Sequence, residues 1–438
     1  MPSNAGFLAR TMRSAFKVEP HETRATLLSF SFVLVLMTAY YILRPIRDAM
    51  SSDWTDAELS TLFTVTFLFS FVFVSAYGAA CARIDFRRLV PGVYAFFAAS
   101  FLLFFATVQS GVETDWIRRS FYVWVSVFSL FHISVFWSYM ADIFDREQAP
   151  RLFGFISAGA SIGAIIGPTI TVLLVEGIGT DMLLLISAAL LLLPIGIIMM
   201  LQRDQRDGAW GTDDANGPSR PARIGGNPLA GFTLFLKNPY LLGIAVFILL
   251  YTAISTFVYF ELKNLMAPLD EAARVRVWGG MDLAVNILAI ATAMFGTSRL
   301  TLRFGLTTTL VLVPVIIAVG LLVVVFSPVL AVVIGLQIVR RAGNYAVTRP
   351  AREMLFTIVD RESRFKAKSV IDIVVYRGGD ALTAWAFTAL TQGFGLGLAA
   401  VAAVGALIAA VWALVGRMLG RSYEADSIRP EAKVTDSA

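Results

Sequence analysis

The chain has 438 residues, of which 57% are hydrophobic and only 15% charged, and its mean hydropathy is +0.72. A water-soluble domain carries nearer about 25% charged residues, so a soluble fold is excluded and the chain reads as an all-α polytopic protein with the lipid bilayer as its solvent. The single Cys81 excludes an intrachain disulfide or multi-cysteine metal site, and two histidines, His21 and His132, leave little for zinc or triad chemistry, so neither metal nor cofactor is expected.

Residues 1–24 carry Arg10, Arg13, Lys17 and Arg24 without an apolar core, so they read as a cytoplasmic tail and not as a cleaved signal. Apolar runs of about 20 residues then recur, the length a helix needs to cross about 30 Å of hydrocarbon. Twelve are expected, near 25–44, 57–80, 89–110, 118–141, 153–175, 182–201, 239–262, 275–296, 306–326, 328–350, 366–392 and 394–418. The stretch 202–237 is rich in Gly, Pro, Asp and Arg and reads as a cytoplasmic linker. It separates an N-terminal six-helix half, 25–201, from a C-terminal half, 238–418, and 419–438 form a cytoplasmic tail.

Orientation follows from the basic residues. With both termini in the cytoplasm, inner loops and tails together with the inner ends of the spans hold 28 of the 36 Lys and Arg, and Arg377 is left inside a helix. The outer loops hold Arg44, Arg47, Arg118, Arg119, Lys263, Arg274 and Arg276. The net charge of +5 is this asymmetry in a cell inner membrane, and no nucleic-acid partner is needed to explain it.

The stretch from Phe136 to Pro168 anchors a repeat. A charged corner, Asp145-Arg146-Glu147, recurs 215 residues on as Asp360-Arg361-Glu362, and the same offset brings Gly163 onto Gly378. Behind the first corner, Gly159, Gly163 and Gly167 form a stripe at four-residue spacing, which lets two membrane helices approach backbone to backbone. The inner loops Gly78–Arg88 and Gly296–Gly305 fall at equivalent places in the two halves. They loosely resemble the Gly-to-Arg loop of the major facilitator superfamily, whose plan is two six-helix halves around a midplane site.

A charge at the bilayer centre costs at least about 2.5–3.5 kcal/mol, so each one demands a partner or a watery cavity. Arg377 lies roughly 16 Å into the eleventh span, with Asp380 three residues on and Asn286 of the eighth span at similar depth. Gly378 and Gly379 come directly after Arg377 and leave room for a ligand. Arg340 and Arg341 lie in the inner half of the tenth span, and Asp282 and Asp372 part-way along the eighth and eleventh. Arg44 and Arg47 close the first span and Glu261 the seventh, so a Glu261 pair with either arginine is an expected outer gate. An Arg377–Asp380 ion pair at i,i+3 competes with a cargo role for Arg377. His132 reads as a packing residue.

Three patches together resemble the nucleotide transporter family, the ATP/ADP translocases. They are Tyr41-Ile42-Leu43-Arg44-Pro45-Ile46-Arg47-Asp48, the run from Phe136-Trp137 through Ala141-Asp142 to Ala149-Pro150-Arg151, and Lys366-Ala367-Lys368-Ser369-Val370-Ile371-Asp372. Glu261 stands where that family carries a glutamate. The departures are Arg47 for a lysine, Asp142 for a glutamate, and Tyr376-Arg377-Gly378-Gly379-Asp380, which lacks the family's lysine on the eleventh helix. The resemblance implies a major facilitator-type fold and a small anionic cargo, a nucleotide or another phosphorylated metabolite, carried by alternating access. Arg377, Arg340, Arg47 and Asn286 would meet the cargo, while Arg44, Glu261, Asp142, Asp282, Asp372 and Asp380 would gate or couple. The alternative is a proton-coupled antiporter of small organic molecules with Asp282 or Asp380 carrying the proton. A monomer is expected.

An enzyme is not expected. Gly159-Ala160-Ser161-Ile162-Gly163 matches G-x-S-x-G, but a nucleophile elbow needs a strand before it, and this match lies within an apolar span. No Gly-Lys dipeptide exists, so no P-loop is present.

Overall fold

The computed structural model describes residues 18–111, 115–145, 147–206, 238–295, 297–359 and 374–427, and among them all regular structure is helical. The helices are α1 (Thr23–Met50), α2 (Asp56–Arg83), α3 (Phe86–Gln109), α4 (Asp115–Ile143), α5 (Gln148–Leu190) and α6 (Leu193–Arg206). After the linker come α7 (Pro239–Met266), α8 (Glu271–Phe295), α9 (Thr297–Phe326), α10 (Leu330–Gly343), α11 (Arg349–Leu355), α12 (Tyr376–Thr388) and α13 (Leu398–Ser427).

Among the described residues nine helical runs are long and apolar enough to cross a membrane. Hydropathy does not resolve them all as separate spans. The run Arg151–Arg206 holds the fifth and sixth expected spans together, hinged at Gly179, whose φ of 76° suits glycine and few other residues. The sixth extends to Arg206, five residues beyond its expected end, and Asp204 there meets Arg24 at 2.8 Å. The tenth span is divided by a π turn, Asn344–Thr348, between α10 and α11. The corner at 360–362 and the start of the eleventh span, Asp372 included, lie outside the described residues. Exposed Leu68, Phe71, Leu173, Leu302, Val319 and Leu407 supply the apolar outer surface that lipid requires.

Local sequence fixes the helix ends. Asn238 caps α7 by accepting from the Tyr240 and Leu241 amides at 3.0 and 3.2 Å, and Pro239 occupies the first turn, where its missing N–H costs nothing. Thr55 and Glu58 form a reciprocal box at the start of α2, with bonds of 2.9 and 3.3 Å. Asp85 caps α3 through the Arg87 amide.

Contacts divide the chain into two compact units. The first gathers Met1–Met50, Leu68–Ile224 and Asp270–Leu283; the second gathers Ser51–Phe67, Gly225–Leu269 and Ala284–Ala438. Each therefore takes the first turns of one helix, α8 or α2, from the opposite six-helix half of the sequence.

In the first unit α1 packs along α5 through the glycine stripe. A Cβ at Gly159 would stand 2.6 Å from the Phe30 carbonyl oxygen and one at Gly167 2.7 Å from that of Thr38; a Cβ at Gly163 would overlap the Leu34 carbonyl. The second unit repeats the design. Gly379 of α12 meets Leu249 of α7, where an added Cβ would come within 2.9 Å of Leu249 Cδ1, and Leu249 is Leu34 shifted by the 215-residue offset. Gly379 is thus spent on helix packing instead of leaving room for a ligand, and Gly378 faces Phe67.

In the first unit, Glu22 staples the start of α1 to α5. It accepts from Arg151 Nη2 and Nη1 at 2.9 and 3.1 Å and from Gln148 at 3.1 Å. Burial alone would raise its carboxyl, but the Arg151 guanidinium, the Glu19 amide and Gln148 together hold it below the ordinary value.

Candidate functional site

The second unit holds a polar cavity of about 390 Å³. Tyr251 of α7 and Tyr376 of α12 form one side, with ring centroids 6.2 Å apart. The π turn contributes Asn344 and Tyr345, and α11 contributes Arg349, Arg352 and Glu353. A π turn inserts one extra residue into the helix and rotates the turns beyond it, and such turns recur at functional sites. Here it places residues from both of its sides on one cavity.

Arg340, on α10, stands behind this wall. It is 3% exposed, and its Nε and Nη2 donate to Gln337 Oε1 at 3.1 and 2.9 Å. Nη1 donates to the Tyr251 hydroxyl at 3.4 Å, and the guanidinium carbon lies 5.8 Å from the Tyr251 ring centre. Among the described residues no carboxylate pairs with Arg340. A buried cation held only by neutral groups retains its attraction for an anion. The neighbouring Arg341 is also 3% exposed.

The other expected charges fall into separate groups. In the second unit Arg377 meets Asp380 at 3.9 Å, the i,i+3 pair that competes with its cargo role, and Thr256 donates to Asp380 at 3.4 Å. Asn286 is 8% exposed on α8. Neither Arg377 nor Asn286 lines the cavity. Glu261 is 1% exposed, and neither of its carboxylate oxygens has a hydrogen-bond partner among the described residues.

The arginines expected to gate with Glu261 are engaged within the first unit. Arg44 Nε lies 3.6 Å from Asp48 and 3.8 Å from Asp282. Arg47 donates from Nε to Asp48 at 2.9 Å and from Nη1 to Ser126 at 3.4 Å, and it stacks over Tyr122. Asp142 is exposed at the C-terminal end of α4. His132 is a packing residue, with Nδ1 3.2 Å from the Phe128 carbonyl and its ring stacked 4.2 Å from Tyr40.

A family model of the Major Facilitator Superfamily matches residues 28–351, most of the helical chain just described. The chain belongs to the major facilitator superfamily. This facilitator is a membrane transporter and not an enzyme. Its fold is similar to that of a bacterial homologue of the human lysosomal transporter Spinster, solved inward-facing and unoccupied. That match has 15% identity and a TM-score of 0.56, and covers 93% of this chain and 98% of the other. It is similar also to the nucleoside transporter NupG, at 14% identity and a TM-score of 0.58, covering 92% and 99% of the two chains. No curated protein matches the facilitator in sequence. The narrower likeness to ATP/ADP translocases stands on its sequence patches.

Two groups in this facilitator carry no sign in the sequence. One is the set of cavity residues, Tyr251, Tyr345, Arg349, Arg352 and Tyr376, whose convergence depends on the π turn. The other is a buried ion pair in the second unit, between the C-terminal end of α7 and the start of α2. Lys263, counted from hydropathy as a loop residue, is 1% exposed and meets Asp56 at 2.7 Å. Its Nζ also donates to the Trp54 carbonyl at 2.8 Å. Asp56 accepts further from Asn264 at 3.1 Å and Thr391 at 2.8 Å, and one turn on Ser60 bonds Thr388 at 2.8 Å. The first turns of α2 are thereby latched to α7 and α12. The first unit carries the counterpart on α8, where Glu271 lies 3.8 Å from Arg118 and Arg276 pairs with Glu176. Adding 215 to Asp56 gives Glu271, so the two latches occupy matching positions of the repeat.

Proposed function

We propose that this facilitator is a secondary transporter of an organic anion, a nucleotide or another phosphorylated metabolite, moved by alternating access across the inner membrane. The observation that carries the reading is Arg340, a buried guanidinium directly behind the cavity wall, bonded to Tyr251 and Gln337 and with neutral partners only among the described residues. An intramembrane charge without a counter-ion marks a substrate or ion path. The translocase-like sequence patches support the same cargo class. One observation favours a second reading, proton coupling. Glu261 is a buried carboxylate without a hydrogen-bond partner among the described residues, so it, before the paired Asp282 or Asp380, is the group to carry a proton.

A single proteoliposome experiment separates the two. Vesicles preloaded with unlabelled ADP are offered labelled ATP, AMP or phosphate. Exchange is expected for at least one of them and is expected to persist when a protonophore collapses the pH gradient. Arg340→Gln is expected to lower that exchange about tenfold or more, the effect of a lost charged hydrogen bond. Uptake that stops with the gradient and is abolished by Glu261→Gln would instead establish the second reading.

By the bias of basic residues both termini face the cytoplasm, and the transporter works as a monomer. Alkaline phosphatase fused at Ser3 or Asp436 is expected to be silent in cells. Strong activity from either fusion would overturn the topology.

A further inference from the structure

We infer that the cavity between α7, the π turn, α11 and α12 is a binding site for a planar ring bearing one acidic group, with Arg349 and Arg352 taking the acid and the tyrosines taking the ring. This deepens the transport reading and rests on it for the ligand's role as cargo. The cavity's volume of about 390 Å³ falls within the range of small-molecule sites.

The lining divides by chemistry. Arg349 is exposed and has no hydrogen-bond or ion-pair partner among the described residues. Arg352 spends Nη2 on Glu353 at 2.9 Å, while its Nε is buried with no acceptor among them. Two guanidinium groups with unspent donors, three residues apart on one helix, suit a phosphate or carboxylate, which guanidinium can hold through paired bonds. The other face is aromatic. Tyr251 and Tyr376 lie tilted to each other at 43°, and Tyr345 joins them from the π turn. Flat, amphipathic rings offer a ligand ring a large contact area at low conformational cost. Arg340 fixes the Tyr251 hydroxyl from behind, which makes Arg340 a positioning residue for this wall. Asn344 also lines the cavity and can accept from a donor group on the ligand, the feature that would favour a substituted ring over a bare one.

The site differs from the one that depth and charge point to in the sequence. Arg377 and Asn286 do not contribute to it, and its two cationic contacts, Arg349 and Arg352, both lie on α11, which runs up to the 3-10 turn Phe356–Ile358.

The test measures binding apart from transport, so that either can fail alone. Full-length protein in nanodiscs of zwitterionic lipid is titrated calorimetrically with phenyl phosphate, AMP, adenosine and inorganic phosphate. Phenyl phosphate or AMP is expected to bind at least about tenfold more tightly than adenosine and inorganic phosphate, because each of the latter lacks half of the recognition. Arg349→Gln, at an exposed position where folding is not at stake, is expected to weaken the ring-bearing acid about tenfold and to leave adenosine unchanged. Tyr376→Leu is expected to weaken AMP and leave inorganic phosphate unchanged. The assignment is overturned if neither ring-bearing acid binds, if inorganic phosphate binds as well as AMP, or if both variants bind like the parent. Loss of AMP binding in nanodiscs containing phosphatidylglycerol would also overturn it, by making the arginines a lipid headgroup site. Binding that obeys these expectations without exchange in vesicles would keep the site and remove the transport reading; exchange that survives both variants would do the reverse.

Discussion

Gly163→Leu is expected to leave little or no folded transporter in the membrane. A Cβ at this position would overlap the Leu34 carbonyl and stand 3.0 Å from Met37 Cβ. The obstacle is backbone, which has no rotamer to yield, so α1 and α5 must separate along the glycine stripe. Overpacking commonly costs about 1–3 kcal/mol where side chains can move, and more is expected here. Membrane helices have little hydrophobic drive to restore contact once close packing is lost, since lipid solvates the parted faces as well as they solvate each other. Gly154→Leu is the control, because a Cβ at Gly154, on the same helix, meets nothing within 4 Å. Yield and melting temperature, read by size-exclusion fluorescence, should collapse for the first variant and stay near the parent for the second. A parental melting temperature for Gly163→Leu would show that the stripe does not hold the two helices.

The contrast between Gly163 and Lys263 shows what a sequence of this kind reveals. Glycines at four-residue spacing encode a local demand, a smooth helix face, and the partner face is supplied by a neighbouring helix of the same repeat. The offset of 215 then points to the second copy one residue short: it takes Gly163 to Gly378, which faces Phe67, while it is Gly379 that meets Leu249, the counterpart of Leu34. Lys263 carries no comparable local sign. At the end of an apolar span it reads as a snorkelling or loop residue, the usual fate of lysine at a membrane boundary. It is buried only because the first turn of α2, some two hundred residues earlier, brings Asp56 to it. The cavity is hidden for a different reason. A π turn leaves hydropathy unchanged while rotating the helix beyond it, so nothing in the sequence marks Arg349, at the end of the expected tenth span, and Arg352, just past it, as sharing a cavity with Tyr251 and Tyr376. Depth singles out Arg377, and depth does not reveal that Asp380 answers it.

Asp56→Asn is expected to unlatch the start of α2 from α7 in the second unit. Lys263 would keep the Trp54 carbonyl but lose the only carboxylate within salt-bridge distance among the described residues. Removing one partner of a buried pair costs about 3–5 kcal/mol, because the remaining charge stays desolvated. That cost can be avoided if the first turns of α2 swing away and let water reach the ammonium. The observable is accessibility. In a Cys81→Ser background, which removes the single native thiol, Ser52→Cys lies at a buried position in the turn before α2. It is expected to resist a membrane-impermeant maleimide, and adding Asp56→Asn is expected to speed its labelling at least about tenfold, the minimum for a shift exceeding about 1.4 kcal/mol. Lys263→Met together with Asp56→Asn should restore much of the protection, since no unpaired charge then remains. If single and double variants label alike, Lys263 is satisfied by the backbone carbonyl and neighbouring polar groups, and the pair is not a latch.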